Sequence, residues 1–209
     1  KEFDLDDNTL VIFTSDNGPW LSYGGHAGSA LPLREGKGTV FEGGVRVPCI
    51  MRWPGRIPPG VVQDKPAMTV DIFPTISTLI GADGHTQTID GKNIWPLMIN
   101  DPGARASHDA FYFYFNNNEL QGMRSGKWKL YFPHQYRSMN GREGTNNGLP
   151  VQYSQREVNV ELYDLENDIS EKKNVASQYP SVVDSLQTMA TAFREKLGDA
   201  LTGVKGTEV

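Results

Sequence analysis

The run Leu10-Val11-Ile12-Phe13 constrains the fold more than any other stretch of this chain. Its apolar residues follow one another without polar alternation. That is the pattern of a short strand buried on both faces, as in a parallel sheet covered by helices. A parallel strand needs neighbours, and the sequence offers one other convincing candidate, Val45 to Trp53. Two strands do not make a stable buried parallel sheet. The expectation is therefore an α/β domain of which this chain holds the C-terminal part, with the rest N-terminal to Lys1.

The strand runs into Asp16-Asn17-Gly18, and two further glycine-rich motifs follow, Gly36-Lys37-Gly38 and Gly43-Gly44. Ligands of open α/β sheets sit at the carboxyl ends of strands, where Asp16 and Asn17 fall. A carboxylate and an amide oxygen are hard donors suited to Ca²⁺ or Mg²⁺. Lys37 is a compact positive charge, and its flanking glycines let backbone and a small anion approach closely. His26, on the loop between these motifs, can hydrogen-bond a substrate oxygen or move a proton. Taken singly, each feature has an ordinary reading: a turn, a surface lysine, a loop histidine. A phosphate-binding P-loop is excluded, because Leu31 stands where its first glycine belongs and Gly38 follows the lysine. Asp164 to Val175 is not a calcium loop, since Ile169 and Val175 occupy its glycine and glutamate positions. A G-x-S-x-G nucleophile elbow is absent. His85, His108 and His134 have no motif around them.

Beyond Trp53, Pro54 to Gly60 is a turn segment. Asp71 is placed to cap a helix from Ile72 to Ile80 whose apolar face is Ile72, Ile76, Leu79 and Ile80, with Gly81 at the C′ position. Ile94 to Met98 reads as a short helical piece. Composition turns polar over Asp101 to Ser107, which sets a domain boundary between 1–105 and 106–209. The second part reads as an antiparallel sheet plus a helix. Phe111 to Phe115 is an aromatic strand. Gln121 to Arg124 and Trp128 to Phe132 flank the turn Ser125-Gly126-Lys127, and Glu161 to Leu165 is a further strand. Trp128, Leu130 and Phe132 face a core. Residues 133–160 are polar and Gly/Asn-rich, a long loop of the functional kind. Val182, Leu186, Met189, Phe193 and Leu197 form an amphipathic stripe on a helix from Pro180 to Leu197, ended by Gly198.

The formal net charge of −5 argues against nucleic-acid partners, which need a basic footprint. No stretch approaches the ~18 apolar residues of a membrane helix, and no targeting signal is visible. The single cysteine, Cys49, excludes an intrachain disulfide and reads as a buried structural thiol.

The motifs FTSDNGP, GGHAGSALPLREGKGTVFEGGVRVP, RWPGRIPPG, VDIFPTISTLIGA, IDGKNIWPLM, GMRSGKWKLYF and ELYDLENDISEKKNV stand in one order along nearly the whole chain. In that order they resemble the C-terminal half of a type I, arylsulfatase-like sulfatase. The resemblance implies the last part of an alkaline-phosphatase-like α/β domain followed by a small domain with an antiparallel sheet and a helix. It implies hydrolysis of sulfate esters, of sulfated carbohydrates or aryl sulfates, by a periplasmic or secreted enzyme. It implies Ca²⁺ held in part by Asp16 and Asn17, and sulfate bound by Lys37 with His26 near the substrate. The family nucleophile is a formylglycine made from C/S-x-P-x-R. Cys49 has Met51 where that motif has proline, so the nucleophile is expected outside this chain. This stretch alone is then expected to turn over no aryl sulfate. With two ligands it would bind calcium weakly or not at all, since calcium takes about six to eight oxygens. Two other readings stand beside this one. One is a phosphoryl-transfer relative of the same superfamily. The other is a non-catalytic module for sulfated glycans, motivated by Phe111 to Phe115 and the 133–160 loop.

Overall fold

The computed structural model describes residues 3–82 and 88–208; His85 lies outside them. In chain order the helices and strands are β1 (Val11–Thr14), a one-turn helix α1 (Glu42–Val45), β2 (Cys49–Arg52), α2 (Ile72–Leu79) and α3 (Trp95–Met98). There follow β3 (Phe111–Phe115), β4 (Glu119–Ser125), β5 (Trp128–Tyr131), β6 (His134–Ser138), β7 (Ser154–Val158), β8 (Glu161–Asp164) and α4 (Pro180–Leu197). Contacts group the chain into two compact units. One joins Lys1–Asp16 to Pro48–Asp109, the other Asn17–Val47 to Ala110–Val209.

In the first unit β1 pairs with β2, and the pairing is antiparallel, Val11 opposite Arg52 and Thr14 opposite Cys49. This corrects the parallel, doubly buried strand read from the apolar run. Every strand pair among the described residues is antiparallel. A continuous apolar run reports what a strand can bury, not what covers it or which way its neighbour runs. Here Val11, Phe13 and Ile50 stay exposed. Cys49 is exposed too, against the buried thiol expected of its apolar neighbours; partial burial nonetheless raises its thiol pKa, against a hydrogen bond with Thr14.

Helix α2 forms where its pattern predicted, but it buries the other side. Pro74, Thr75 and Ser77 are buried, while Ile76 and Ile80 are 39% and 71% exposed. The cause is polar. The Thr75 hydroxyl donates to the Asp71 carbonyl at 2.6 Å and accepts from the Ile94 amide at 2.9 Å. That draws the segment carrying buried Ile94 and Leu97 onto the Thr75 side. Asp71 does not cap α2. It ends the 3-10 turn Thr69–Asp71, and its carboxylate accepts from the amides of Met68 and Lys92, both at 2.8 Å. His108 Nε2 lies 2.7 Å from the same carboxylate.

In the second unit β3, β4, β5 and β8 form one antiparallel sheet in that spatial order. On one face Leu120, Met123, Leu130, Phe132 and Leu162 pack against Val183, Leu186 and Ala190 of α4. The predicted stripe on α4 holds: Leu186 is buried, Val182 and Met189 pack beside it, and Phe193 stacks on Tyr112 with centroids 3.7 Å apart. The other face carries a second core of Val40, Phe41, Tyr131, Tyr136, Val158, Tyr163 and Leu165. The 133–160 stretch, read as one long loop, in fact holds β6 and β7, paired from His134–Val158 to Ser138–Ser154, and only the segment between them is irregular. Their sequences, HQYRS and SQREV, carry too few apolar residues for the alternation that marks a half-buried strand.

Candidate functional site

Three glycine-rich pieces of the second unit interlock through their backbones. Gly18 N–H donates to Gly44 O at 2.9 Å, Gly43 N–H to Arg34 O at 2.8 Å, and Lys37 N–H to Pro19 O at 3.0 Å. The approach is close enough that a Cβ on Gly18 would lie 1.8 Å from the Gly43 carbonyl oxygen. Glycine is the residue that permits this. The turn bearing Asn17 and the loop bearing Lys37 are thereby joined, two of the residues that sequence reasoning singled out. Asp16 directly precedes this turn and is exposed; Asn17 and Lys37 are half-buried.

The Lys37 ammonium lies 5.3 Å from the ring centroid of Trp20. A cation above an indole face is attracted by the ring quadrupole, by about 0.5–1 kcal/mol at exposed sites. From Trp20 the rings continue, edge on, to Tyr23 at 4.9 Å and from Tyr23 to His26 at 6.1 Å. His26 sits on the 3-10 segment Leu21–Ala27, exposed. The segment between β6 and β7 pins this piece in place. Gly25 N–H donates to Asn146 Oδ1 at 2.9 Å, Val151 N–H to Ser22 O at 3.0 Å, and Ser22 N–H to the Tyr153 hydroxyl at 3.4 Å. Trp20 was legible in the sequence, directly after Asn17-Gly18-Pro19, yet nothing there marked it as lying beside Lys37.

Beneath the loop is a buried charge cluster that sequence reasoning missed. Lys129 Nζ is fully buried, 2.7 Å from Glu42 Oε1 and 3.7 Å from Glu171 Oε1. Glu171 Oε2 accepts from Glu42 N–H at 2.9 Å, and Glu171 Oε1 accepts from the Tyr131 hydroxyl. Burial pushes the Glu171 carboxyl up, outweighing Lys129 beside it. Burial also acts on Glu42, but the Lys129 charge and hydrogen bond, with Arg124 and Arg46, hold its carboxyl below the ordinary value. Glu35, just before the Lys37 loop, has its carboxyl raised by burial despite a hydrogen bond from Ser138. The alternation of β5 hinted that Lys129 faces away from Leu130; it gave no sign that this face is also a core.

A carboxylate and an amide oxygen on adjacent residues fit a calcium ion in kind, but they are two donors where about six to eight are needed. Among the described residues no group of three or more His, Cys, Asp or Glu side chains stands ready for a metal.

A sulfatase family model matches residues 1–82, and a second, for the C-terminal region of aryl-sulfatase, matches residues 107–205. The chain belongs to the sulfatase family. Mouse steryl-sulfatase is 34% identical over 219 aligned residues, covering 95% of this chain and 35% of that protein. Bovine arylsulfatase A is 42% identical over 127 residues, 59% of this chain and 25% of its own length. The chain thus spans roughly a third or less of these two relatives. Among solved structures, Ps i-CgsB, in complex with k-i-k-neocarrahexaose, superposes with a TM-score of 0.70 at 28% identity, over 95% of this chain and 39% of that one. The PsFucS1 sulfatase from Pseudoalteromonas sp. shares the fold with a TM-score of 0.74 at 24% identity, over 92% and 38%. No helix among the described residues is long and apolar enough to cross a membrane.

Proposed function

We propose that the protein to which this chain belongs hydrolyses sulfate esters, and that Lys37 binds the sulfate group. The observation that carries the reading is the backbone lock between the Asn17 turn and the Lys37 loop, with the lysine ammonium held over Trp20. A cation held on a fixed backbone is what an anionic, charge-developing group requires. Asp16 and Asn17 would hold part of a Ca²⁺ ion, which when bound supplies Lewis-acid polarisation of a sulfate oxygen. Lys37 would orient the sulfate and offset its charge. His26, at the end of the ring series, would meet the alcohol portion of the substrate. The nucleophile, a formylglycine by family resemblance, lies outside this chain. Residues 1–105 would belong to the catalytic domain and 106–209 to a smaller C-terminal one; family matches ending at 82 and resuming at 107 support this. The oligosaccharide bound by Ps i-CgsB supports carbohydrate sulfate esters as substrates, and the name of bovine arylsulfatase A supports aryl sulfates. A periplasmic or secreted location is part of the same reading.

The test is Lys37→Met in the full-length protein. Loss of one preorganised group aimed at developing charge costs about 10²–10³-fold. The variant should lose that much kcat/KM on a chromogenic aryl sulfate while its melting temperature stays that of the parent. Undiminished turnover would remove Lys37 from the site and the reading with it.

A further inference from the structure

Arg137, in the middle of β6, is the residue through which the C-terminal hairpin reaches Lys37. Its Nη2 donates to the Lys37 carbonyl oxygen at 2.7 Å. The guanidinium carbon lies 4.7 Å from the centroid of the Tyr153 ring. Gly38 makes this approach possible twice over. It takes φ +83°, and a Cβ there would come within 2.1–2.5 Å of the guanidinium. The neighbours of Arg137 on β6 hold the same loop. The Tyr136 hydroxyl accepts from Arg34 Nη2 at 3.3 Å, and the Ser138 hydroxyl donates to Glu35 Oε1 at 2.6 Å. Three consecutive residues of one strand thus hold three residues of the stretch Arg34–Lys37.

One further detail separates Arg137 from an ordinary packing residue. Its Nε is buried without a hydrogen-bond partner. A buried unpaired N–H costs free energy and calls for an explanation. Here the guanidinium is turned so that Nη2 meets Lys37 O at Nε's expense. With Lys37 N–H bound to Pro19 O, the lysine peptide is fixed at both its amide and its carbonyl, and Trp20 lies under its ammonium.

We propose that Arg137 is a positioning residue for Lys37: the C-terminal hairpin sets where the sulfate-binding cation stands. The inference rests on the reading of Lys37 given above. A shift of about 1 Å in a positioned group can cost on the order of 10²-fold in rate. Arg137→Ala in the full-length protein is therefore expected to lower kcat/KM on an aryl sulfate by about 10–100-fold. Millimolar guanidinium should restore most of that loss, while sodium chloride at the same ionic strength should not. Residues that act as one unit are non-additive. In a Lys37→Met background, Arg137→Ala should then cost less than about 3-fold more. If Arg137→Ala does not fold, Arg137→Met, which keeps the apolar stem but removes every donor toward the Lys37 carbonyl, carries the same double-mutant test.

The outcomes separate cleanly. Full activity in Lys37→Met overturns the reading of Lys37 itself. A large loss in Lys37→Met, with an Arg137 variant that is either fully active or equally damaging in both backgrounds, overturns the positioning role alone. A loss confined to the parent background and rescued by guanidinium supports it.

Discussion

Lys129→Met is expected to destabilise the protein by about 3–5 kcal/mol, the range for removing one partner of a buried ion pair. The lysine is fully buried, and its charge is shared between Glu42 and Glu171. Without it two buried carboxylates face each other, with only Arg46 and Arg124 left near Glu42, at 3.6 Å and 3.9 Å. Urea denaturation followed by tryptophan fluorescence would read the loss, and an unchanged midpoint would show that the cluster is not held together by this charge. Replacing lysine and both glutamates by apolar residues of similar volume is expected to cost less, because no buried carboxylate is then left without its lysine, while the Tyr131 hydroxyl and the amide of residue 42 lose their Glu171 acceptor. The two carboxyls pull pH dependence in opposite directions. The depressed Glu42 contributes stability that is present above the ordinary carboxylate pKa and lost as pH falls through its folded value. The raised Glu171 favours the folded state below the ordinary value, and that contribution is lost as pH rises through its folded value. Acid unfolding governed by Glu42 should therefore set in below the pH at which Glu171 takes up its proton. Carboxyl titration by NMR would check the order.

Asp71→Ala is expected to cost about 2–5 kcal/mol in the other unit, from two amides that lose their acceptor. The Asp71 side chain is fully buried and accepts from the Met68 and Lys92 amides, with His108 Nε2 at 2.7 Å. Each amide left without an acceptor costs about 1–3 kcal/mol. The contacts of this one carboxylate tie the turn before α2 to residues 92 and 108, so the variant should lose more than a cap. Asp71→Asn keeps one carbonyl acceptor and should lose about half as much. Amide exchange gives the local readout: Lys92 should lose protection in Asp71→Ala, and retained protection there would contradict the account.

Elements whose pattern and packing agree were legible in the sequence. Helix α4 has the predicted bounds because its stripe, its Pro180 start and its Gly198 end all point the same way. The Asn17 turn and the Lys37 loop were legible as glycine motifs. Their mutual lock was not, since it is made by backbone groups that every residue carries. The strands β6 and β7 escaped notice because they bury little apolar surface, and Arg137 lay inside that polar stretch with no signal of its own. The apolar stripe of α2 was read correctly as apolar and wrongly as buried. The bond that the Thr75 hydroxyl accepts from the Ile94 amide puts the covering segment on the Thr75 side of the helix.

The contacts of β6 with Arg34, Glu35 and Lys37 bear on how this protein can be taken apart. A polar stretch near residues 101–107 invites a cut, and a genetic truncation or protease nick there would look like the clean separation of two modules. Yet the Lys37 segment rests on residues that follow that cut. Shortened at 105, the polypeptide would keep every sequence motif of its candidate site and lose the floor beneath them.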